Sequence, residues 1–489
     1  MNVDNELSGI EKPNVEVKTS PKDVIWSYAC TILTPISGFI LLPILLIFLS
    51  DAEIGLWYVF IAISGWPSLL FLGLSPAFSR NIVYCISGAS ALSKSGSIEY
   101  SAGRGVDWHL LKCVMKTSKL FYACIACVTL LLLLSAGTIY IENVTSGSDI
   151  SAFVRNFSWA LFCLAMMLNV YFQYADVYLR GFGDIAATSR AQVLAKVSQL
   201  MVTPLLLFMG LGLIGAAFGF LFNSVAYRLL TSVYARKHLG INKGLRSDST
   251  NVSLGEIKTT FATIFYLAWR DGVVMISLYI ATQVSTLICS AYLSLEDAGS
   301  YAILLQFANA ICSFASAYAA SAYPEFQAAY ARGDSSRESE IVGKCSIAYW
   351  AACFLCVISV AAIALPLLKV LKPEYTYDLG LFILLSVYTV LLNHHSMYCS
   401  FIMCMNEIPY TFSYLISSIV GLALSVVMIK VVGIGAWGLV LGQGIAQLAY
   451  NNWHWPRYVA HKLNSTYRNL ISLGLRAFRL DLSRAKNKI

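Results

Sequence analysis

The residues best suited to chemistry in this sequence are charged side chains that lie within apolar runs. Arg270 and Asp271 stand side by side in FYLAWRDGVVMISLYIA, residues 265–281, which otherwise reads as the middle of a membrane helix. A charge at the bilayer centre costs about 2.5–3.5 kcal/mol on insertion scales, so such side chains face water or a partner. Adjacent residues on a helix diverge by about 100° and do not face each other. We therefore expect at least one of the two to line a hydrated cavity or to contact another helix.

Further ionisable residues lie inside the apolar runs or at their inner ends, and most of them are basic. These candidates are Arg80, Asp176, Arg180, Lys196 and Arg228, with His394 and His395 as a candidate proton relay. Arg and Lys are the usual partners of phosphate groups, so a net-positive cavity favours an anion such as phosphate or pyrophosphate. The aspartates would orient the cations. The structural alternatives stay open: interhelix ion pairs or snorkelling for the cations, and helix packing for the histidines.

The elements that must position these side chains are transmembrane helices. Of the 489 residues 58% are hydrophobic and only 12% are charged, with a mean hydropathy of +0.67. The apolar runs are about 20 residues or longer, the length that spans a bilayer as a helix. We predict an all-α integral membrane protein with twelve spans: 24–49, 53–78, 119–141, 153–178, 190–211, 213–235, 261–293, 298–324, 344–367, 378–403, 409–431 and 433–454.

The distribution of Lys and Arg predicts the orientation of these spans. Connections on one side hold 27 of the 34 basic residues, and those on the other side hold only Lys369, Lys372 and Lys430. Basic residues are enriched in cytoplasmic loops, so both termini are expected in the cytoplasm. The polar start of the chain indicates that no cleavable signal precedes the first span.

The chain repeats itself weakly, which predicts two related six-helix lobes. LIGAAFG (213–219) is echoed by IGAWG (434–438), GDIAATS by NEIPYTF, and EIGLWY by DAGSY, in the same order. Two-lobed builds are common in secondary transporters, with substrate bound at the lobe interface. The predicted parts are a cytoplasmic segment 1–23, an N-lobe 24–235, a linker 236–260, a C-lobe 261–454 and a basic tail 455–489. The tail is expected to form an amphipathic helix on the anionic inner leaflet.

Several classes of chemistry lack support in the sequence. Two C-x-x-C spacings, at Cys124/Cys127 and Cys353/Cys356, lie in apolar runs and are interpreted as packing residues. No G-x-x-x-x-G-K-[ST] motif and no catalytic constellation is present, so ATP coupling and enzyme activity are not expected. We predict no metal, no cofactor and no nucleic-acid partner. Coupling to a proton or sodium gradient stays open.

Four segments resemble Wzx-type O-antigen flippases: LSDAEIGLWYVF (49–60), SRNIVYCISGASAL (79–92), AWRDGVVMISLYIATQV (268–284) and DAGSYAILLQ (297–306). That family belongs to the multidrug/oligosaccharidyl-lipid/polysaccharide exporter superfamily. The resemblance implies a V-shaped, MATE-like twelve-helix bundle in the bacterial inner membrane. It also implies movement of an undecaprenyl-pyrophosphate-linked sugar repeat unit to the periplasmic leaflet, next to a polysaccharide polymerase and a chain-length regulator. The family's charged cavity maps onto Arg270, Asp271 and Arg80.

Three alternative functions are weighed against this one. A drug/cation antiporter of the same fold would need deep acidic residues, whereas buried cations outnumber buried acids here. A lipid II flippase often carries more than twelve helices. A membrane-embedded glycan polymerase or ligase generally needs a large outer loop, and the predicted outer loops are short.

Overall fold

A computed structural model describes residues 21–71, 73–89, 91–92, 106–373, 376–405 and 407–486. The regular secondary structure of these residues is helical, which confirms the predicted all-α class. The α-helices are α1 Pro21–Phe48, α2 Asp51–Ile63, α3 Trp66–Phe71, α4 Leu74–Ile86, α5 Trp108–Leu132, α6 Thr138–Val144, α7 Ala152–Tyr171, α8 Gln173–Gly181, α9 Ile185–Phe208, α10 Gly212–Arg236, α11 Leu239–Ser247, α12 Leu254–Thr282, α13 Val284–Tyr292, α14 Leu295–Arg332, α15 Ser335–Ser359, α16 Leu365–Leu371, α17 Leu379–Cys404, α18 Thr411–Val427, α19 Ala436–Ala449, α20 Asn451–Lys462 and α21 Tyr467–Lys486. Three π-helical turns, Leu133–Gly137, Val360–Ala364 and Met428–Val432, continue α5, α15 and α18.

Nine helices in the described part of the chain are long and apolar enough to cross a membrane. A shorter apolar helix, Ile36–Phe48, lies within α1. This set is consistent with the predicted twelve spans. The protein is therefore a multi-pass membrane protein.

Several predicted spans are broken helices, and glycine and proline explain the clearest case. The predicted span 53–78 consists of α2, α3 and α4. Gly73 has φ +69°, a left-handed conformation that favours glycine, at the start of α4. Pro67 lies in the first turn of α3, where its missing N–H costs nothing. Likewise, the predicted span 261–293 divides into α12 and α13.

The described residues pack into two compact units. Unit 1 comprises the residues up to Phe48 together with Trp66–Glu142 and Ser151–Gly272. Unit 2 comprises Leu49–Gly65, Asn143–Ile150 and the residues from Val273 onward. The division falls inside α12, after Gly272. The two units are defined by packing. The predicted lobes 24–235 and 261–454 are defined by the sequence repeat, and they stay a prediction.

Each unit contains a close helix crossing at a glycine, between α9 and α10 in unit 1 and between α18 and α19 in unit 2. In unit 1, a Cβ on Gly219 of α10 would lie 2.0 Å from Thr203 Oγ1 of α9. In unit 2, a Cβ on Gly442 of α19 would lie 2.3 Å from the backbone nitrogen of Ser425 in α18. Small residues let membrane helices approach at backbone distance.

A second crossing joins α2 and α14 within unit 2. Ser50 and Ser294 cap these helices, each accepting a hydrogen bond from the backbone N–H three residues on. Beyond the caps, Gly55 and Gly299 meet, and a Cβ on Gly55 would lie 1.9 Å from the carbonyl oxygen of Leu295. The sequence echo EIGLWY/DAGSY thus contains the two glycines of one helix contact.

We expect Gly55→Ala to destabilise unit 2. The added methyl group must push against backbone at the α2–α14 crossing, and overpacking of this kind costs about 1–3 kcal/mol. The measurement is the thermal unfolding midpoint of the purified protein in detergent. Gly147→Ala is the matched control, because nothing lies within 4 Å of a Cβ at that position. Equal midpoints for the two variants would show that the crossing tolerates the methyl group.

Candidate functional site

Three polar side chains of α7 and α8, buried or partly buried, form one face of the helical run that contains Asp176. Asn169, Gln173 and Asp176 are spaced four and three residues apart, which places them on one side of a helix. The run bends at Phe172, whose backbone has φ −80° and ψ 5° between α7 and α8. An apolar span with polar residues at this spacing must turn that face away from lipid.

Arg228 of α10 lies against this face and is buried. Its Nη1 donates to Asp176 Oδ2 at 2.6 Å, its Nη2 to Gln173 Oε1 at 2.8 Å and its Nε to Asn169 Oδ1 at 3.2 Å. Side chains of Arg228 and Asp176 are 9% and 7% exposed. Burial is tolerated here because the charges pair and the guanidinium donates at all three of its nitrogens.

Two neighbours on α10 complete the surroundings of this ion pair. The hydroxyl of Tyr227 donates to Asp176 Oδ2 at 3.0 Å, and the Arg228 guanidinium lies 4.7 Å from the Tyr227 ring centroid. Asn169 Nδ2 donates to Ser224 Oγ at 2.8 Å. Within the described residues, Asp176 Oδ1 is buried and accepts no hydrogen bond. One carboxylate oxygen therefore remains open to a donor.

Lys196 lies near the middle of α9 and is partly buried. Its Nζ donates to Gln199 Oε1 at 3.1 Å, and the same oxygen accepts from Asn223 Nδ2 of α10 at 3.1 Å. Among the described residues no carboxylate lies within 4.0 Å of this ammonium group. Within the part of the chain that the structure describes, Lys196 therefore has neutral partners only, and no described carboxylate compensates its positive charge inside the span.

The two groups contact α10 at neighbouring positions, Asn223 and Ser224. We refer to them as the unit-1 polar network: Asn169, Gln173, Asp176, Lys196, Gln199, Asn223, Ser224, Tyr227 and Arg228. The Arg228–Asp176 pair is neutral, so the network carries the single positive charge of Lys196. Its amide and hydroxyl groups offer both donors and acceptors. The arrangement suits an anion accompanied by a polar, hydroxyl-rich group.

The remaining predicted residues of the cavity are placed differently. Arg180, in the last turn of α8, is exposed, and so is Arg80 of α4. Neither side chain joins the contacts of the unit-1 polar network. The predictions for Arg270 and Asp271 fall on side chains outside the described part of the structure, although both residues lie within α12.

His394 and His395 of α17 lie in unit 2 and are buried. His394 Nε2 is 3.3 Å from the hydroxyl of Tyr467, and its ring lies 4.8 Å from that of Trp350. His395 Nδ1 is 2.7 Å from Asn452 Oδ1, and its Nε2 has no hydrogen-bond partner in the described residues. Adjacent histidines thus face different neighbours, and the proton relay stays a prediction.

One group of side chains has the composition of a metal site. The ligand atoms of His109, Cys113 and Glu256 lie within 4.8 Å of one another in unit 1. His109 Nε2 contacts Glu256 Oε1 at 2.7 Å, and this hydrogen bond lowers the pKa of Glu256 to about 2. The His109 Nδ1 contacts Thr250 Oγ1 at 2.6 Å. We interpret the group as an ion pair that ties the start of α12 to α5.

The neutral members of the network are not among the residues predicted from the sequence. Asn169 and Gln173 precede Asp176 at helical spacing, a signal that was available in the sequence. Gln199 follows Lys196 by three residues on the same face. The depth of a residue within its span is enough to single out the charged members. Their neutral partners are found only by asking which residues share a helical face with each charge.

The sequence matches the model of a family described as Polysaccharide biosynthesis protein over residues 20–329. A comparison with curated proteins gave no match.

Solved structures with the same architecture include transporters and a flippase. A multidrug resistance MATE family transporter of the MOP superfamily, inward-facing, is 16% identical with a TM-score of 0.58, over 90% of this chain and 95% of that one. The lipid II flippase MurJ, in an inward closed conformation, is 12% identical with a TM-score of 0.61, over 96% and 93%. A MOP superfamily transporter from Pyrococcus furiosus is 15% identical with a TM-score of 0.51, over 92% and 98%. At these identities the likeness establishes a shared fold, and the MATE-like prediction is confirmed.

Proposed function

The chain belongs to the family of polysaccharide biosynthesis proteins, and from that premise we propose that it is a flippase for a lipid-linked saccharide. The proposed substrate is an undecaprenyl-pyrophosphate-linked repeat unit, such as that of O-antigen. The protein moves it from the cytoplasmic to the periplasmic leaflet of a bacterial inner membrane. Both termini lie in the cytoplasm in this proposal.

The observation that carries the proposal is the uncompensated charge of Lys196. An ammonium group inside a membrane span with neutral partners only is costly unless water or an anion reaches it. The anion in the proposed substrate is its pyrophosphate, for which Lys acts as a compact point charge. Lys196 therefore attracts the headgroup electrostatically.

The neutral groups of the unit-1 polar network support the saccharide part of the proposal. Gln199 and Asn223 place amide groups beside Lys196, and Asn169 and Gln173 place amide groups beside Arg228. Sugar hydroxyls both donate and accept hydrogen bonds, as these amides do. The lipid tail stays in the bilayer, because only the polar head gains from these contacts. Alternating exposure of the site to the two leaflets then moves the head across.

The solved structures that share this fold favour a transport function, and the family favours a saccharide as the transported group. One neighbour is described as a lipid II flippase and others as multidrug transporters. A transporter for cationic drugs would need an acidic residue without a counter-ion, whereas Asp176, the one carboxylate of the unit-1 polar network, is paired with Arg228. No step in this proposal forms or breaks a covalent bond, so the protein acts as a transporter and not as an enzyme.

Deletion of the gene in its own host tests the proposed function. We expect surface polysaccharide to disappear and the lipid-linked repeat unit to accumulate, with both effects reversed by a plasmid copy. The measurement is lipid extraction followed by mass spectrometry of the linked saccharide. Growth arrest with accumulated lipid II would instead support the lipid II alternative. Normal polysaccharide with increased sensitivity to cationic drugs would support the antiporter.

A further inference from the structure

A cavity of about 670 Å³ lies in unit 2, bounded by α15, α17, α20 and the start of α21. Its volume falls within the range of about 300–1,000 Å³ that is typical of ligand pockets. Trp350 and His394 line the cavity from within α15 and α17, in the halves of the predicted spans 344–367 and 378–403 nearer to Lys344 and residue 403, the end from which the predicted tail 455–489 continues. The distribution of Lys and Arg predicts that this end is cytoplasmic. It contains none of the residues of the unit-1 polar network.

The wall of the cavity is largely apolar and aromatic. Trp350, Leu391, Trp453 and Pro456 contribute to it. Tyr467 fixes one side, because its hydroxyl is 3.4 Å from Trp350 Nε1 and 3.3 Å from His394 Nε2. Both tryptophans are partly exposed, at 37% and 42%. Tryptophan at such a position is typical of the membrane–water interface.

Cations line the remaining side. Arg457, His461 and Arg468 line the cavity and are exposed, and the Arg457 guanidinium lies 5.0 Å from the Trp453 ring centroid. No carboxylate of the described residues lies within 4.0 Å of these three side chains. Neighbouring Lys462, in contrast, is paired with Glu407 at 2.8 Å. The lining therefore offers two permanent positive charges to an anion.

The helix α21 is a packed wall of this cavity. It contacts α15 at backbone distance, since a Cβ on Gly343 would lie 2.2 Å from the carbonyl oxygen of Leu470 and 2.9 Å from the nitrogen of Gly474. Leu470 and Ala477 are buried on the same face. The first turn of α21 thereby places Arg468 in the lining of the cavity, to which Arg457 of α20 also contributes.

We propose that this cavity binds an anionic phospholipid of the cytoplasmic leaflet. The phosphate lies between Arg457 and Arg468, and the upper acyl chain lies against Trp350, Leu391 and Trp453. Charge complementarity selects an anionic headgroup, and the apolar wall selects a lipid over a free phosphate. The site is separate from transport of the substrate, so it extends the proposed function and does not depend on it.

Native mass spectrometry of the purified full-length protein tests the site. We expect phosphatidylglycerol to bind more tightly than phosphatidylcholine, and the double variant Arg457→Gln/Arg468→Gln to weaken phosphatidylglycerol binding by about fivefold for each cation removed. Arg476→Gln/Arg479→Gln is the matched control, because both side chains are exposed on α21 and do not line the cavity. The control should bind phosphatidylglycerol as the wild type does.

Three results would overturn the proposal. Equal binding of the two phospholipids by the wild type would remove the charge argument. Unchanged phosphatidylglycerol binding in the Arg457/Arg468 variant would place the lipid elsewhere. Displacement of the lipid by millimolar inorganic phosphate would identify a free-phosphate site. Phospholipid binding at this cavity can be observed even if the deletion test contradicts the proposed function. Failure of one proposal is therefore distinguishable from failure of the other.

Discussion

Lys196→Gln is expected to reduce lipid-linked saccharide translocation by about 10- to 100-fold while the protein remains folded. That range corresponds to the loss of a hydrogen bond to a charged group. The glutamine keeps a donor for Gln199 Oε1 but removes the uncompensated charge of α9. The measurement is the appearance of surface polysaccharide in the deletion host, normalised to the amount of protein in the membrane.

Two further variants separate charge from position. Lys196→Arg keeps the positive charge and should retain part of the activity, although its planar fork differs in reach. Lys258→Gln removes an exposed lysine from the first turns of α12 and should leave activity unchanged. Full activity in Lys196→Gln would remove this residue from the substrate path and with it the main support for the proposed function.

Arg228→Ala is expected to be the most destabilising single change in unit 1. It leaves the Asp176 carboxylate buried without its counter-ion, and breaking a buried pair in this way costs about 3–5 kcal/mol. We expect a large fall in the thermal unfolding midpoint and in membrane yield. Arg180→Ala, at the exposed end of α8, is the matched control and should behave as the wild type.

The double variant Arg228→Met/Asp176→Leu distinguishes a structural pair from a functional one. Replacing both charges by apolar residues removes the unpaired carboxylate, so stability should recover relative to Arg228→Ala. Translocation should remain low, because the network loses the guanidinium that orients Gln173 and Asn169. Recovery of both stability and translocation would show that the pair has only a packing role.

Hydropathy predicted the fold class well, because a membrane helix must satisfy its own backbone. Helices extend beyond the predicted spans where polar turns adjoin them. The prediction placed the start of the seventh span at residue 261, whereas α12 begins at Leu254. Ser253 and Glu256 form a capping box there, with reciprocal side-chain to backbone hydrogen bonds. The S-x-x-E spacing was visible in the sequence.

The position of a residue along its span does not show which side chain it pairs with. Arg228 and Lys196 both lie within spans at positions that also allow snorkelling. The packing of α10 against α7, α8 and α9 shows that Arg228 contacts a carboxylate, and that Lys196 contacts none among the side chains that the structure describes. The helix of the tail was predicted from the sequence. Its contact with α15 was not, because that contact depends on Gly343 and Gly474, which lie far apart in sequence.

The central claim is that a positive charge within unit 1 draws the pyrophosphate head across the membrane. Reconstituted proteoliposomes test it most directly, with a fluorescent lipid-linked saccharide whose outward movement is followed by chemical quenching. We expect the wild type to move the pyrophosphate-linked saccharide and to move a matched lipid with a neutral linkage far more slowly. We expect Lys196→Gln to lose this preference. Equal rates for the two lipids, or an unchanged preference in the variant, would contradict it.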